Sequence, residues 1–161
     1  MSATDRRPTA DAGPTDRVPP FRFSARSRVD IAETDLGAVV YYARYPHHID
    51  RAVLAYRRHL GIPPLGPDGH HFVVRSLHID YLASARFDDE VEAFVRVSDL
   101  GRSSHTMEAR LERVLDGEPG GVPLATATLV LVGLAGYGGR PSRVPEGMRE
   151  AIEGFEGATG P

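Results

Sequence analysis

The residues whose types and spacing could do chemistry lie in one short segment, "ETDLGAVVYYARY", at residues 33–45. An acid, Asp35, is followed two positions later by Gly37 and then by three tyrosines. A carboxylate just before a helix can serve as its N-cap, since Asp is among the best residues at that position. Alternatively, it can attack a carbonyl or activate a water molecule. The residues alone leave both interpretations open.

The second interpretation requires a partner for the carboxylate. An acyl carbonyl reacts with water when a donor polarises its oxygen and an oxygen nucleophile approaches its carbon. The first turn of a helix supplies unpaired N–H groups and the positive end of the helix dipole. Such amides can act as an oxyanion hole. An acid beside a helix start is therefore compatible with acyl transfer to water.

Composition excludes several other kinds of site. The chain has no cysteine, which rules out disulfides, a thiolate nucleophile and Cys-ligated zinc. All 19 basic residues are arginine, so no lysine can form a Schiff base. Neither G-x-S-x-G nor H-E-x-x-H occurs. The paired histidines at 47–48 and 70–71 point in different directions on a helix or strand, and we expect no metal site and no cofactor.

Bulk properties predict a soluble single-domain protein. The 161 residues are 41% hydrophobic and 25% charged, with a formal net charge of -3. We therefore expect no nucleic-acid partner. No apolar run is long enough to cross a membrane, and the first 20 residues lack the apolar region of a secretory signal. We expect a cytoplasmic location, a disordered tail at residues 1–20 and one domain at residues 21–156.

A strand and an amphipathic helix flank the acid. Alternating apolar residues predict a first strand within residues 21–31. A helical stripe follows the acidic segment, and Gly61 with the prolines after it ends that helix. Pro46 is compatible with a position near the helix start. The stripe consists of Ile49, Ala52, Val53, Tyr56 and Leu60.

The rest of the chain has the period of strands. Alternation at residues 77–83, 91–97 and 107–111 predicts three strands joined by turns, and "DGEPGG" predicts a hairpin before a fourth. That fourth run, "LATATLVLVGLA", is apolar on both faces and predicts a central strand covered on each side. "VPEGMREAIEGF" predicts a short terminal helix. A single striped helix beside such strands indicates an α+β domain with an antiparallel sheet around the helix.

Two segments carry a resemblance to a known family. "RVDIAETDLGAVVYYARYPHHIDRAVLAYRRHLGIPPL" resembles the first half, and "HFVVRSLHIDYLASARFDDEVEAFVRVSDLGRSSHTMEARL" the second half, of the 4-hydroxybenzoyl-CoA thioesterase family, which includes the YbgC-type acyl-CoA thioesterases. The resemblance covers roughly residues 22–150, the size of one compact domain. It implies the hotdog fold, a long central helix wrapped by a curved antiparallel sheet of five to six strands. It also implies homodimers or homotetramers with active sites between subunits.

The resemblance assigns roles in the acidic segment. Asp35 matches the catalytic carboxylate, which either attacks the thioester or activates water, and the N–H of Tyr42 matches the oxyanion donor. Substrate-binding positions are Gly37, Val40, Tyr45 and Asp50. Asp50 matches an aspartate that accepts a hydrogen bond from a ring hydroxyl. Together with a tyrosine rather than a histidine at position 42, it favours an aromatic or hydroxylated acyl group.

Arginines are natural partners for the phosphates of CoA. By the same resemblance, the turn formed by Arg102, Ser103 and Ser104 lies near the nucleotide, and Arg75 and Arg86 are further candidates. The family carries more positive charge in this turn than "GRSS" offers. That difference leaves an acyl carrier protein open as the substrate.

The sequence therefore predicts a thioesterase that hydrolyses an acyl-CoA to free acid and CoA. One alternative is release of a polyketide or fatty acyl product from a carrier protein. Another is a domain that binds thioesters without hydrolysing them, because fold does not prove activity. A hydratase acting on enoyl thioesters would need a histidine paired with an acid, and neither His47 nor His48 is expected to form such a pair.

Overall fold

This computed structural model, which describes residues 12–67, 69–118 and 120–157, contains a six-stranded antiparallel sheet. The strand order across the sheet is β1-β2-β4-β5-β6-β3. Two single-turn 3₁₀ helices, Ile31–Glu33 and Tyr42–Arg44, lie between β2 and α1. The elements in chain order are β1 (Ala12–Pro14), β2 (Phe23–Arg28), α1 (Tyr45–His59), β3 (His70–Tyr81), β4 (Glu90–Leu100), β5 (Ser104–Val114), β6 (Gly121–Ala135) and α2 (Glu146–Glu156).

The predicted helical stripe is the buried face of α1. Ile49, Ala52, Val53 and Tyr56 are all buried, against residues of β2 and β4 among others. Burial of such a stripe, rather than helix propensity, supplies most of the stability of a helix of this length. The chain leaves the helix through Gly61, whose φ of 70° lies in the left-handed region that favours glycine. The prediction for this helix is confirmed.

The predicted strands also form, with one difference in β6. On β5, alternate residues are buried against the helix layer: His105, Met107, Ala109 and Leu111. β6 lies between β5 and β3, so its interior position in the sheet is confirmed. Thr128 of β6 is exposed, however, so the second face of β6 is not fully covered within the described residues. The apolar residues on both faces of β6 thus do not mean that protein covers both faces.

The predicted tail at residues 1–20 is too long. Residues 12–14 form β1, which pairs antiparallel with β2. Beyond it, the guanidinium of Arg17 lies 2.9 Å from a carboxylate oxygen of Glu92, 2.9 Å from one of Glu112, and over the ring of Phe94. These long-range contacts order residues 12–17, although the composition of this segment predicts disorder. Residues 1–11 lie outside the described residues.

The terminal helix α2 confirms its prediction and closes one end of the core. Met148 and Ile152 are buried, and the hydroxyl of Tyr56 donates a 2.7 Å hydrogen bond to the carboxylate of Glu156. Among the described residues, no helix is both long and apolar enough to cross a membrane.

The outer edge of β3 has no partner strand among the described residues. Four large apolar side chains on this strand are exposed, those of Val73, Val74, Leu77 and Tyr81. An exposed apolar strand edge is a surface to which another strand can add.

Candidate active site

Asp35 closes a tight turn between β2 and α1. Its N–H donates to the carbonyl of Val39 at 2.9 Å, and its carbonyl accepts from the N–H of Ala38 at 3.0 Å. One side-chain oxygen, Oδ1, accepts a 2.7 Å hydrogen bond from the N–H of Gly37. Asp35 therefore orders its own turn and caps no helix, so the capping interpretation is wrong. The residue that caps a 3₁₀ helix nearby is Asp30, through its bond from the N–H of Ala32.

Tyr42 begins the helical segment that continues into α1. It is the first residue of the 3₁₀ helix, where a main-chain N–H has no partner within the helix. That N–H makes no hydrogen bond to any other described residue. The carbonyl of Tyr42 accepts a 2.9 Å hydrogen bond from the hydroxyl of Tyr81. An unpaired amide at a helix start is a ready donor for an oxygen that becomes negative.

Asp35 and Tyr42 line the same cavity, of about 350 Å³. Its walls come from the Asp35 turn, from the start of the helical segment, and from the end of β3 with the loop after it. The residues are Asp35, Val39, Val40, Tyr42, Tyr45, Tyr81, Leu82, Ala83 and Ser84. The carboxylate and the start of the helical segment thus border one small space.

Tyr45 joins the two walls of this cavity. Its hydroxyl accepts a 3.1 Å hydrogen bond from the N–H of Ala85 and lies 3.5 Å from the carbonyl of Ala83. The N–H of Val40 in turn donates to the carbonyl of Ala85 at 2.8 Å. Burial raises the pKa of the Tyr45 hydroxyl, although the bond from Ala85 opposes the effect. The hydroxyl therefore remains protonated and can make both contacts.

Comparison with known proteins places this chain in a family. The profile of the thioesterase superfamily matches residues 37–119. The chain is 38% identical over 94 residues to the acyl-CoA thioesterase YbgC of Haemophilus influenzae, an alignment that covers 56% of this chain and 69% of that protein.

The chain belongs to the thioesterase superfamily.

Solved structures of the family share the architecture. A thioesterase of Thermus thermophilus, complexed with coenzyme A and Zn, is 34% identical, with a TM-score of 0.69 over 83% of this chain and 95% of that one. A thioesterase-superfamily structure from Jannaschia sp. CCS1 is 22% identical and has a TM-score of 0.81, covering 94% of this chain and 97% of that one. The predicted hotdog fold is confirmed, with the upper strand number of the expected range.

Tyr81 lines the Asp35 cavity but was not predicted from the sequence. Besides its bond to Tyr42, its ring lies 5.4 Å from that of Tyr45 and 6.5 Å from that of Tyr42, edge-on in both cases. Its strand position alone predicted only sheet alternation. The signal that could have found it is the end of a strand beside a loop with small residues, where side chains meet a neighbouring element.

The predicted substrate residues fall into three groups. Val40 and Tyr45 line the cavity as buried side chains. Gly37 does not line it, but its N–H holds the Asp35 carboxylate. Asp50 lies on α1 outside both described cavities, with much of its surface exposed. Protein atoms around its carboxyl still displace enough water to raise the pKa of that group, although His47 and Arg57 lower it.

The predicted CoA-binding residues do not line the Asp35 cavity. Arg86 is nearest along the chain, because it directly follows Ala85. Arg75 is exposed on β3. In the turn between β4 and β5, the carbonyls of Arg102 and Ser103 accept hydrogen bonds from the later residues Val144 and Gly133, and that of Ser104 from Gly101. The main chain of this turn is therefore engaged, whereas the Arg102 side chain is exposed.

One histidine does pair with an acid, contrary to the expectation for His47 and His48. The Nε2 atom of His48, in the buried first turns of α1, lies 3.2 Å from Oε1 of Glu33. Burial lowers the pKa of His48 and outweighs the raising effect of Glu33. The pairing was not visible in sequence because Glu33 and His48 are brought together only by the turn between them.

Proposed function

We propose that this protein is an acyl-CoA thioesterase whose catalytic carboxylate is Asp35 and whose oxyanion donor is the N–H of Tyr42. The observation that carries the proposal is that the carboxylate and the residue bearing an unpaired helix-start amide border one cavity. The activity agrees with family membership and with the relative named acyl-CoA thioesterase, and a 34% identical family structure was solved with coenzyme A.

In the proposed reaction, the N–H of Tyr42 and the carboxylate of Asp35 have different roles. The N–H of Tyr42 donates to the thioester oxygen as negative charge develops there, and losing one such donor typically raises the barrier by about 3 kcal/mol. The Gly37 amide holds Oδ1 of Asp35, so Oδ2 is the oxygen left for chemistry. That oxygen either attacks the carbonyl carbon, forming a mixed anhydride that water then opens, or takes a proton from an attacking water. In both routes the C–S bond breaks and the CoA sulfur leaves with a proton.

Aromatic walls favour an acyl group of matching shape. The rings of Tyr42, Tyr45 and Tyr81 surround a cavity of about 350 Å³, near the small end of ligand pockets. Edge-to-face contacts with a bound ring would add to the apolar burial. An aromatic or hydroxylated acyl group is therefore the proposed substrate class, and rates on benzoyl-, 4-hydroxybenzoyl- and medium-chain acyl-CoA test it. A clear preference for the aliphatic substrate would count against it.

Three of the proposed CoA ligands are available for phosphate. Arg75, Arg86 and Arg102 are exposed, and none has a carboxylate within salt-bridge distance among the described residues. Guanidinium groups bind phosphate oxygens through paired N–H donors. Because these arginines do not line the cavity of their own chain, they suit a site completed by a second copy. The unpartnered edge of β3 supports such a homodimer, or a homotetramer built from it.

The decisive experiment replaces Asp35 by asparagine. Asparagine keeps the side-chain oxygen that accepts from Gly37 but cannot attack or take a proton, so we expect the fold to persist and kcat to fall at least about 1,000-fold. Release of free thiol from an acyl-CoA panel measures the rate, and thermal unfolding checks the fold. Asp116→Asn, in an exposed turn, is the matched control. Turnover of Asp35→Asn near the parent rate would refute the assignment.

The same assay separates the alternatives. One acyl group presented on CoA and on an acyl carrier protein distinguishes a small-molecule thioesterase from one that releases a carrier-bound product. A parent protein that binds acyl-CoA but releases no thiol from any substrate would instead be a non-hydrolytic binding domain.

A further inference from the structure

A serine, a histidine and a glutamate form a connected group beside the first turns of α1. Ser27 Oγ lies 2.6 Å from Nδ1 of His48, and His48 Nε2 lies 3.2 Å from Oε1 of Glu33. His48 and Glu33 are buried, and Ser27 is half-buried. Glu33 is itself held by the N–H of Asp30, which donates to Oε2 at 2.7 Å. The group thus has the order nucleophile, base and orienting acid.

The acid sets the tautomer of the imidazole. An ionised carboxylate only accepts hydrogen bonds, and its negative charge favours the tautomer in which the His48 nitrogen that faces Glu33 carries the proton. Nδ1 then has the free lone pair, and the Ser27 hydroxyl donates to it. The contact between Nε2 and Glu33 is short but poorly aligned as a hydrogen bond, so it orients the ring mainly by charge. Burial lowers the pKa of His48, which keeps the ring neutral and able to take a proton at pH 7.

Ser27 lines a cavity of about 870 Å³ between β2 and α1, distinct from that of Asp35. Phe23, Ala25, Leu54 and Ala55 give it apolar surface. Its ionisable side chains are those of four arginines and of His59.

Two of these four arginines are already paired with carboxylates, and the other two are available to a ligand. The paired ones are Arg26, which lies 3.3 Å from the Glu92 carboxylate, and Arg28, which lies 3.6 Å from that of Asp88. Arg51 and Arg58 have no carboxylate within salt-bridge distance among the described residues. They are seven positions apart on α1, so they share one helix face and can hold an anionic group over the apolar surface between them.

We propose that this cavity is a second hydrolytic site, in which Ser27 is the nucleophile toward oxygen esters that carry a carboxylate. Ser27 Oγ bonds to the ester carbon while its proton passes to His48 Nδ1, and Glu33 stabilises the imidazolium. The C–O bond to the alcohol then breaks, and the alkoxide leaves with that proton. Water hydrolyses the acyl-serine by the reverse use of the same groups, releasing the acid and restoring Ser27.

The strand edge offers a donor for the developing oxyanion. Val29 bonds through its N–H and carbonyl to residues 89 and 88 on the β4 side, and main-chain directions alternate along a strand. The N–H of Arg28 therefore points away from β4. Within the described residues, β1 begins at Ala12, which pairs with Ala25, so no described strand covers Arg28 on that side. An N–H beside the nucleophile is the donor such a reaction needs.

A fluorophosphonate probe tests the nucleophile directly, since an activated serine displaces its fluoride. With the full chain, we expect labelling at Ser27, located by mass spectrometry, and its loss in Ser27→Ala. Ser24→Ala is the matched control, because Ser24 lies on the same strand but bonds to Glu92. Asp35→Asn should label at the parent rate. Absence of labelling in the parent, or labelling that persists in Ser27→Ala, would overturn the proposal.

Ester hydrolysis tests the substrate class. We expect mono-4-nitrophenyl glutarate to be cleaved and Ser27→Ala to lose at least about 100-fold in rate. Arg58→Gln should raise KM for this anionic ester by a larger factor than KM for neutral 4-nitrophenyl acetate. If Ser27→Ala fails to fold, Ser27→Cys replaces it as the test, because a cysteine can keep the contact with His48. The thiol of Ser27→Cys should react with iodoacetamide faster than that of Ser24→Cys. Equal reactivity of the two thiols, or equal cleavage by Ser27→Ala, would contradict the role of Ser27.

Discussion

The hydroxyl of Tyr45 accepts a 3.1 Å hydrogen bond from the main-chain N–H of Ala85, 40 residues further along the chain. This buried bond ties the first residue of α1 to the loop after β3, and these two segments form facing walls of the Asp35 cavity. This oxygen helps to fix the distance across the proposed active site, together with the bond from the N–H of Val40 to the carbonyl of Ala85 and that from the Tyr81 hydroxyl to the carbonyl of Tyr42.

Replacing Tyr45 by phenylalanine should loosen both the fold and the site. The N–H of Ala85 would remain buried without an acceptor, at a cost of about 1–3 kcal/mol in the free energy of unfolding. We expect thioesterase kcat/KM to fall as the loop moves. Urea unfolding and thiol release measure the two effects. Tyr137→Phe, on an exposed ring, is the control and should change neither quantity; an unchanged unfolding midpoint for Tyr45→Phe would argue against the structural role of the bond.

Gly37 is predicted to position the catalytic carboxylate. A Cβ atom at this residue would lie 3.0 Å from Oδ1 of Asp35, tighter than ordinary contact, so alanine must displace the carboxylate or the turn. We expect kcat to fall about 10- to 100-fold, since small displacements at a reacting centre have effects of that size. Stability should change little, because residue 37 is exposed.

A helical glycine provides the control for that variant. Gly154 lies in α2, and a Cβ there would meet no atom within 4 Å. Gly154→Ala should keep full activity and raise stability by up to about 1 kcal/mol. Full activity in Gly37→Ala as well would show that the position of the carboxylate tolerates the added methyl group.

His105 should make the protein sensitive to acid. Burial, with smaller effects from Arg57 and His70, lowers the pKa of His105 to about 3. In the unfolded chain the group titrates near its ordinary value of about 6.5. Below that pH the unfolded state binds a proton that the folded state resists, so stability is full above about pH 6.5 and falls as the pH drops toward 3, by at most about 1.4 kcal/mol per pH unit.

Urea unfolding between pH 7 and pH 4 measures this effect. His105→Leu removes the titrating group and an unpaired buried Nδ1, so it should flatten the profile. The stability of the variant should still fall slightly as the pH drops, because burial also lowers the pKa of His48. His78→Asn, at an exposed position, should leave the parent slope intact. A profile for His105→Leu as steep as that of the parent would assign the acid sensitivity to other groups.

The free edge of β3 should pair with a second copy of the chain. Leu77 lies 40% exposed on this strand, and a buried aspartate there would lack a partner. We expect light scattering to give at least twice the chain mass of 17.5 kDa for the parent, and the dissociation constant of the assembly to rise at least about 100-fold in Leu77→Asp. Loss of thioesterase activity should accompany it. Leu115→Asp, in the turn after β5, should remain assembled; a monomeric but fully active Leu77→Asp would separate catalysis from assembly.

Local periodicity was enough to predict the elements. The spacing of Ile49, Ala52, Val53 and Tyr56 defines a helix face without reference to any other segment, and the alternating runs define the strands. The disorder predicted for residues 12–20 was wrong because residues 12–14 pair with β2 and Arg17 binds carboxylates of β4 and β5, and no local pattern can reveal such long-range contacts.

The acid at position 35 and its neighbour Tyr42 could be proposed from sequence because both lie in one short segment at a helix start. Tyr81, Ala85 and the pairing of His48 with Glu33 could not, because each depends on a contact across the fold. The amino-acid sequence thus determined the two α-helices, five of the six strands and the identity of the proposed carboxylate. Only the tertiary structure decided which side chains surround it, since the distance between segments far apart in the chain depends on how the sheet curves around the helix.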